Sequence, residues 1–284
     1  PWRKRTTLPA SRSIAGYRSM APIIAAGRTA PPTAGTVSAM TALFVHGVPE
    51  TAAYWDLLRA EITEPSVALA LPGFGTDRPS GFGATKDDYA DWLAAELEAI
   101  DEPVDLVGHD WGAGFTYRVA TTRPELVRSW AADVATIVHP AQEWHDFAKI
   151  WQTPGEGEAF IEAQLAMPAE DQAPLFEEMG MTRDAALATV RAMDATMGAC
   201  ILDLYRSAVP NTYASWGDAM TPTGRPGLVI DATDDAFSNT AKSHEVAEML
   251  GAEVATLEGL HHFWAIEDPA SAAALLTGFW DRVR

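Results

Sequence analysis

Basic charge is scarce in this 284-residue chain: 20 Lys and Arg stand against 39 Asp and Glu, a formal charge of −19. Nucleic acids are held mainly by cations that neutralise phosphate, so no nucleic-acid partner is expected, and an anionic membrane surface is disfavoured for the same reason. Long apolar runs are absent as well, and none approaches the ~18 residues a membrane-spanning helix needs. Cysteine occurs once, as Cys200, which leaves no internal disulfide to form and no sign of an oxidising compartment. There is no internal repeat and no metal-binding spacing such as His-Glu-x-x-His. With 48% apolar residues the chain can still build a large core, and a soluble, cytoplasmic globular protein is expected.

Acids are missing altogether from residues 1–39, which hold Arg3, Lys4, Arg5, Arg12, Arg18 and Arg28; residues 40–284 therefore carry about −25. This leader, rich in Ala, Pro, Ser and Thr, shows neither strand nor helix period and reads as disordered or loosely attached. Met40, directly before the first strong strand, reads as the natural start and the leader as an upstream extension, with a targeting role as the alternative.

What is present from Thr41 onward is regular. Apolar runs at Ala42–Val45, Val67–Leu71, Val104–Val107 and Leu228–Ile230 read as buried strands, the first three running into loops that contain glycine. Tyr89, Trp92, Leu93, Leu97 and Ile100 mark one helix face, with Thr85 and Asp88 spaced as a capping box before it. Asp268-Pro269 opens a last helix that buries Leu275, Leu276, Phe279 and Trp280. Strands alternating with helices imply an α/β fold with a mostly parallel sheet covered on both faces. From about His139 to Trp216 the alternation stops in favour of helical composition divided by Pro154, Pro168, Pro174 and Pro210. The expected organisation is the leader (1–39), an α/β core (40–138 and 217–284) and an inserted helical cap (139–216), a plausible lid because ligands bind outside the carboxyl ends of the strands.

The chemistry begins where Val104–Val107 runs into Gly108-His109-Asp110-Trp111-Gly112. Gly-x-Asp-x-Gly between a strand and a helix is the nucleophile-elbow pattern with aspartate in the serine position. An orienting acid and a histidine should follow in that order. After Leu228–Ile230 come Asp231, Asp234 and Asp235, and later His261-His262-Phe263. Asp235 is preferred as orienter because it lies deepest in the loop beyond the strand, with Asp234 in reserve; His262 is preferred as base, with His261 a neighbour. The backbone N–H groups of Val48 and Trp111 suit an oxyanion hole; His46 reads as a residue that holds the first loop rather than reacts, and it is expected to line the substrate pocket with Trp144, His145, Phe147 and Trp151.

His-Gly-Val-Pro-Glu at 46–50, Leu-Pro-Gly-Phe-Gly at 71–75, Gly-His-Asp-Trp-Gly-Ala at 108–113, the late Asp and the His-Phe resemble the α/β-hydrolase superfamily, in its epoxide hydrolase and haloalkane dehalogenase branch. The likeness runs over about residues 42–284. It departs upstream, where two antiparallel strands frequent in the superfamily cannot be read in residues 1–39.

A carboxylate attacking an ester or amide would give a reactive anhydride, whereas attack on saturated carbon gives a stable alkyl ester. Asp110 therefore suggests displacement at sp³ carbon, followed by hydrolysis of the ester by water that His262 and Asp235 activate. The reaction needs neither metal nor cofactor. Its expected substrate is a small apolar epoxide, or an alkyl halide, with water as the second reactant. The resemblance makes Tyr205 a ring-opening acid from the cap. It puts Phe147 in the slot of the family's second tyrosine, with His145 two residues away as the substitute donor. Trp144 and Trp151 would instead be halide-binding indoles in a dehalogenase. Epoxide hydrolysis to vicinal diols is the leading expectation, dehalogenation the alternative, and a non-catalytic ligand-binding homologue a third.

Overall fold

The computed structural model describes residues 41–284, so the expectations about the leader, Met40 included, lie outside the described residues. Six strands, β1 (Ala42–Val45), β2 (Ser66–Leu69), β3 (Val104–Gly108), β4 (Val127–Ala132), β5 (Gly227–Ala232) and β6 (Glu253–Leu257), form one sheet in the order β2-β1-β3-β4-β5-β6. Every neighbouring pair is parallel. Side chains alternate across the strands: Leu43 and Val45 enter the core on one face, Ala42 and Phe44 the core on the other. Burial on both faces is why β1 reads as an unbroken apolar run and β3 as one broken only by the buried Asp105.

Helices cover both faces. α1 (Asp56–Glu61), α2 (Lys86–Glu98) and α3 (Trp111–Thr122) belong to the first half. In α2 the capping box forms, with Thr85 Oγ1 accepting from the Asp88 N–H at 3.1 Å and Thr85 N–H donating to Asp88 Oδ2 at 3.0 Å. Between β4 and β5 the chain makes α4 (Asp146–Gln152), α5 (Glu156–Ala166), α6 (Ala169–Glu178), α7 (Arg183–Ala192), α8 (Ala195–Ser207) and α9 (Tyr213–Trp216). Finally come α10 (Thr240–Leu250), α11 (Trp264–Glu267) and α12 (Pro269–Val283); Asp268 caps α12, which buries Leu276, Phe279 and Trp280 but leaves Leu275 only partly covered.

Pro174 does not divide two helices as expected; it lies inside α6. Its missing N–H frees the carbonyl of Glu170, four residues back, and Arg183 Nη2 donates to that oxygen at 3.5 Å. Among the described residues no single helix is long and apolar enough to cross a membrane.

The topology places the site before any chemistry is considered. From β1 the chain moves outward to β2, then crosses back to put β3 on the other side of β1. The order reverses there, and the carboxyl ends of β1 and β3 flank the crevice that such a reversal opens.

Candidate active site

β3 ends at Gly108, and the chain enters α3 through Asp110, whose φ of 51° and ψ of −118° lie outside the ordinary regions for a residue with a side chain. The turn is tight enough to need glycine beside it. A Cβ on Gly108 would collide with the Gly112 carbonyl and Thr116 Oγ1, and one on Gly47 with the Asp110 side chain itself. The first loop can thus lie against the carboxylate, and Val48 N–H donates to Asp110 Oδ1 at 3.0 Å. The N-terminus of α3 adds a field that favours the anion. Burial nevertheless pushes the Asp110 carboxyl up, to about 6, against the attraction of His262.

His262 is buried, and its Nδ1 lies 3.1 Å from Asp235 Oδ2, whose other oxygen accepts the Phe237 N–H at 2.8 Å. Burial disfavours charge on the His262 ring, but Asp235 outweighs it and raises the ring above its ordinary value. Asp234 is exposed and its Oδ1 accepts from Thr233 Oγ1 at 3.4 Å, while His261 turns to Glu267, 2.9 Å from its Nδ1.

Asp110, Val48, His262 and Tyr205 line one cavity of about 340 Å³. Trp144, His145, Phe147 and Trp151 line it as well. Trp111 lies beneath, its ring stacked 5.7 Å from that of Trp144 and edge-on to Tyr205 at 5.3 Å. Tyr205 is buried among these rings; burial, and then the charge of Asp110, hold its phenol protonated well above the usual tyrosine value. His145 caps α4 by accepting the Ala148 N–H on Nδ1 at 3.2 Å. Burial, and then His262, lower His145 to about 4, so at neutral pH the ring carries its one proton on Nε2. His46 is not among the cavity-lining residues: Nδ1 donates to the Gly47 carbonyl at 2.7 Å and Nε2 accepts the Leu71 N–H at 3.1 Å, which ties the first loop to the second. Trp144 Nε1 donates to the Ala208 carbonyl at 3.2 Å and so is not open to a halide.

Behind Asp110 lies a buried group that the sequence reading left unassigned. His109 sits between Asp133 and Glu50; Asp133 Oδ1 accepts the Asp110 N–H at 2.9 Å, and Glu50 Oε2 accepts the Gly47 N–H at 3.1 Å. Burial opposes a charge on His109, yet Asp133 and then Glu50 raise it well above the ordinary histidine value, and a carboxylate oxygen stands near each ring nitrogen, an arrangement that favours the charged ring. Both His109 and Glu50 stood in quoted motifs, whereas Asp133 follows a strand that was not read. Glu50, His109 and His262 bring ligand-type atoms within 4.8 Å of one another. A protonated His109 has no lone pair for a metal, so this set fits an ion-pair network better than a metal centre.

Residues 42–275 match the model of the alpha/beta hydrolase family, and the chain belongs to that family. Among curated proteins, (E)-2-((N-methylformamido)methylene)succinate hydrolase of Acinetobacter baylyi is 32% identical over 80 residues, 27% of this chain and only 30% of the relative's length. Coelenterazine h 2-monooxygenase of Renilla reniformis is 25% identical over 269 residues, 85% of this chain and 83% of that protein. Among solved structures, an epoxide hydrolase from Vigna radiata superposes with a TM-score of 0.71 at 18% identity, covering 86% of this chain and 92% of that one. A loop variant of a haloalkane dehalogenase from Bradyrhizobium elkanii superposes with a TM-score of 0.66 at 21% identity, covering 87% and 92%. At these identities the structures share a fold with this chain.

Proposed function

We propose that this protein is an epoxide hydrolase working through an ester of Asp110. The observation that carries the reading is one cavity holding a carboxylate on a strained turn, a histidine paired with an acid, and a protonated tyrosine. In the first step an oxygen of Asp110 attacks a ring carbon and the C–O bond breaks. The alkoxide takes the Tyr205 proton, with His145 Nε2–H as a second donor. In the second step His262 takes a proton from water, whose oxygen attacks Cγ of the ester. The N–H groups of Val48 and Trp111 stabilise the oxyanion. The bond from Cγ to the alkyl oxygen then breaks, the departing oxygen takes the proton from His262, and the proton left on the Asp110 carboxyl passes to solvent as Tyr205 regains one from it. Epoxide and water become a vicinal diol, and the helical block of residues 139–216 serves as the cap.

Dehalogenation is the second reading, favoured by one observation: the buried indole N–H of Trp151 has no hydrogen-bond partner among the described residues. Intact mass spectrometry of His262→Gln after exposure to epoxides and alkyl halides separates the two. The expected adduct has the whole mass of the epoxide; gain of an alkyl group with loss of halide would establish the dehalogenase instead. No adduct from either class would end the nucleophile assignment.

A further inference from the structure

The loop that carries His262 is held from two sides, one in the α/β core and one in the helical block of residues 139–216. On the core side Glu267, the last residue of α11, takes both polar groups of His261: Oε2 accepts the backbone N–H at 2.8 Å, and Oε1 stands 2.9 Å from Nδ1. The carbonyl of the preceding Leu260 accepts the Asp234 N–H at 3.0 Å, which ties this loop to the one that carries Asp235. On the other side of His262, the Phe263 N–H donates to the Met179 carbonyl at 3.0 Å. Met179 lies in the turn between α6 and α7, and Phe176 of α6 stacks on Phe263 with ring centroids 6.0 Å apart. Gly180 joins the two sides. Its φ of 104° lies where glycine is favoured, and a Cβ there would come within 2.7 Å of Glu267 Oε2, the oxygen that holds His261.

We infer that Glu267 and the turn at Met179-Gly180 are positioning elements for the base: they clamp the backbone on both sides of His262, so that ester hydrolysis depends on how the helical block is seated. The ring must meet two demands at once. Nδ1 stays 3.1 Å from Asp235 Oδ2 while Nε2 faces the water that attacks Cγ of the ester. Misplacing such a group by ~1 Å costs about a hundredfold in rate. Glu267 and Gly180 are not among the residues lining the cavity, so they act through the loop and not on the substrate. Ester formation draws on Asp110 and Tyr205 and passes no proton through His262, so loss of the clamp falls on the second step. The inference rests on the assignment of His262 as the base, and it holds for an epoxide or a halide because both reactions end in the same hydrolysis.

The test follows ester formation and ester hydrolysis separately by rapid quench and intact mass, with whichever of styrene oxide and bromohexane adds to His262→Gln. Glu267→Ala is expected to slow hydrolysis at least tenfold and leave ester formation within about twofold, so that the ester accumulates during turnover. Glutamine keeps an oxygen for the His261 N–H and an amide group for Nδ1, so Glu267→Gln should hydrolyse the ester within about threefold of wild type. Gly180→Ala pushes the turn off Glu267 and should show the same selectivity for the second step; it stands in if Glu267→Ala does not fold. Equal losses in both steps, or unchanged hydrolysis in a folded Glu267→Ala or Gly180→Ala, overturn the inference. So does Glu267→Gln as slow as Glu267→Ala. If neither compound adds to His262→Gln, the nucleophile reading falls and takes the inference with it.

Discussion

His109 Nδ1 lies 2.5 Å from Asp133 Oδ2, directly behind the turn that presents Asp110. Through this contact one buried imidazolium joins the two backbone segments of the site. Asp133 also holds the Asp110 N–H and accepts from Trp264 Nε1 at 2.6 Å. On its other side His109 Nε2 is 3.3 Å from Glu50, whose second oxygen holds the loop that carries Val48. The ring of His109 also lies 4.6 Å from that of His262, centroid to centroid.

Asp133→Asn removes one partner of this buried ion group while leaving the other charges in place. Breaking such a pair typically costs about 3 kcal/mol or more. Urea unfolding should show a loss of that order together with a drop in turnover; a change under ~1 kcal/mol would mean that Asp133 does not hold the turn.

Stability should also depend on pH through His109. Its folded-state value is raised above the unfolded one, so the stabilisation is fully present below about 6.5 and fades as pH rises through the raised value. Thermal melts from pH 6.5 upward are expected to show wild-type protein losing stability more steeply than His109→Gln. Parallel curves would count against a charged His109.

Activity should fall on the acid side. Asp110 must be ionised to attack, and its carboxyl titrates near 6, well above an ordinary aspartate. His262 must be neutral to accept a proton from water, and its raised value moves that requirement the same way. Tyr205 stays protonated beyond the usual tyrosine range, so single-turnover alkylation should rise through about pH 6 and hold its plateau to at least about pH 9. An alkaline loss in the alkylation step below that point would argue against Tyr205 as the donor.

Tyr205→Phe should slow epoxide opening at least tenfold, the lower range for a general acid, while ester hydrolysis stays within about twofold. Rapid-quench measurement of the two steps separates them. Equal losses in both would point to a packing role among Trp111, Trp144 and Trp151.

The sheet was legible where strands are apolar on both faces and hidden where they are not. β1 is a continuous apolar run and β3 one broken only by Asp105; β4, Val-Arg-Ser-Trp-Ala-Ala, is interrupted by Arg128 and Ser129. Both are satisfied by Asp105 on the neighbouring strand, Ser129 Oγ at 2.6 Å and Arg128 Nη2 at 2.7 Å, a pairing that no local window contains. β6 is half exposed at the sheet edge and alternates too weakly to read. Missing β4 also hid Asp133, which acquires its meaning only when the end of β4 arrives beside His109.

Short-range pattern was enough to establish the alternating α/β architecture, the capping box at Thr85 and the aspartate in the elbow, because each depends on residues a few positions apart whose backbone conformation they set themselves. Tertiary structure alone decided which of two adjacent histidines meets which of three acids, that His46 ties loops together outside the cavity, and that the Trp144 indole is already engaged. Those outcomes turn on distances between side chains far apart in the chain, where an ångström separates a hydrogen bond from none, and only the packed sheet and helices set that scale.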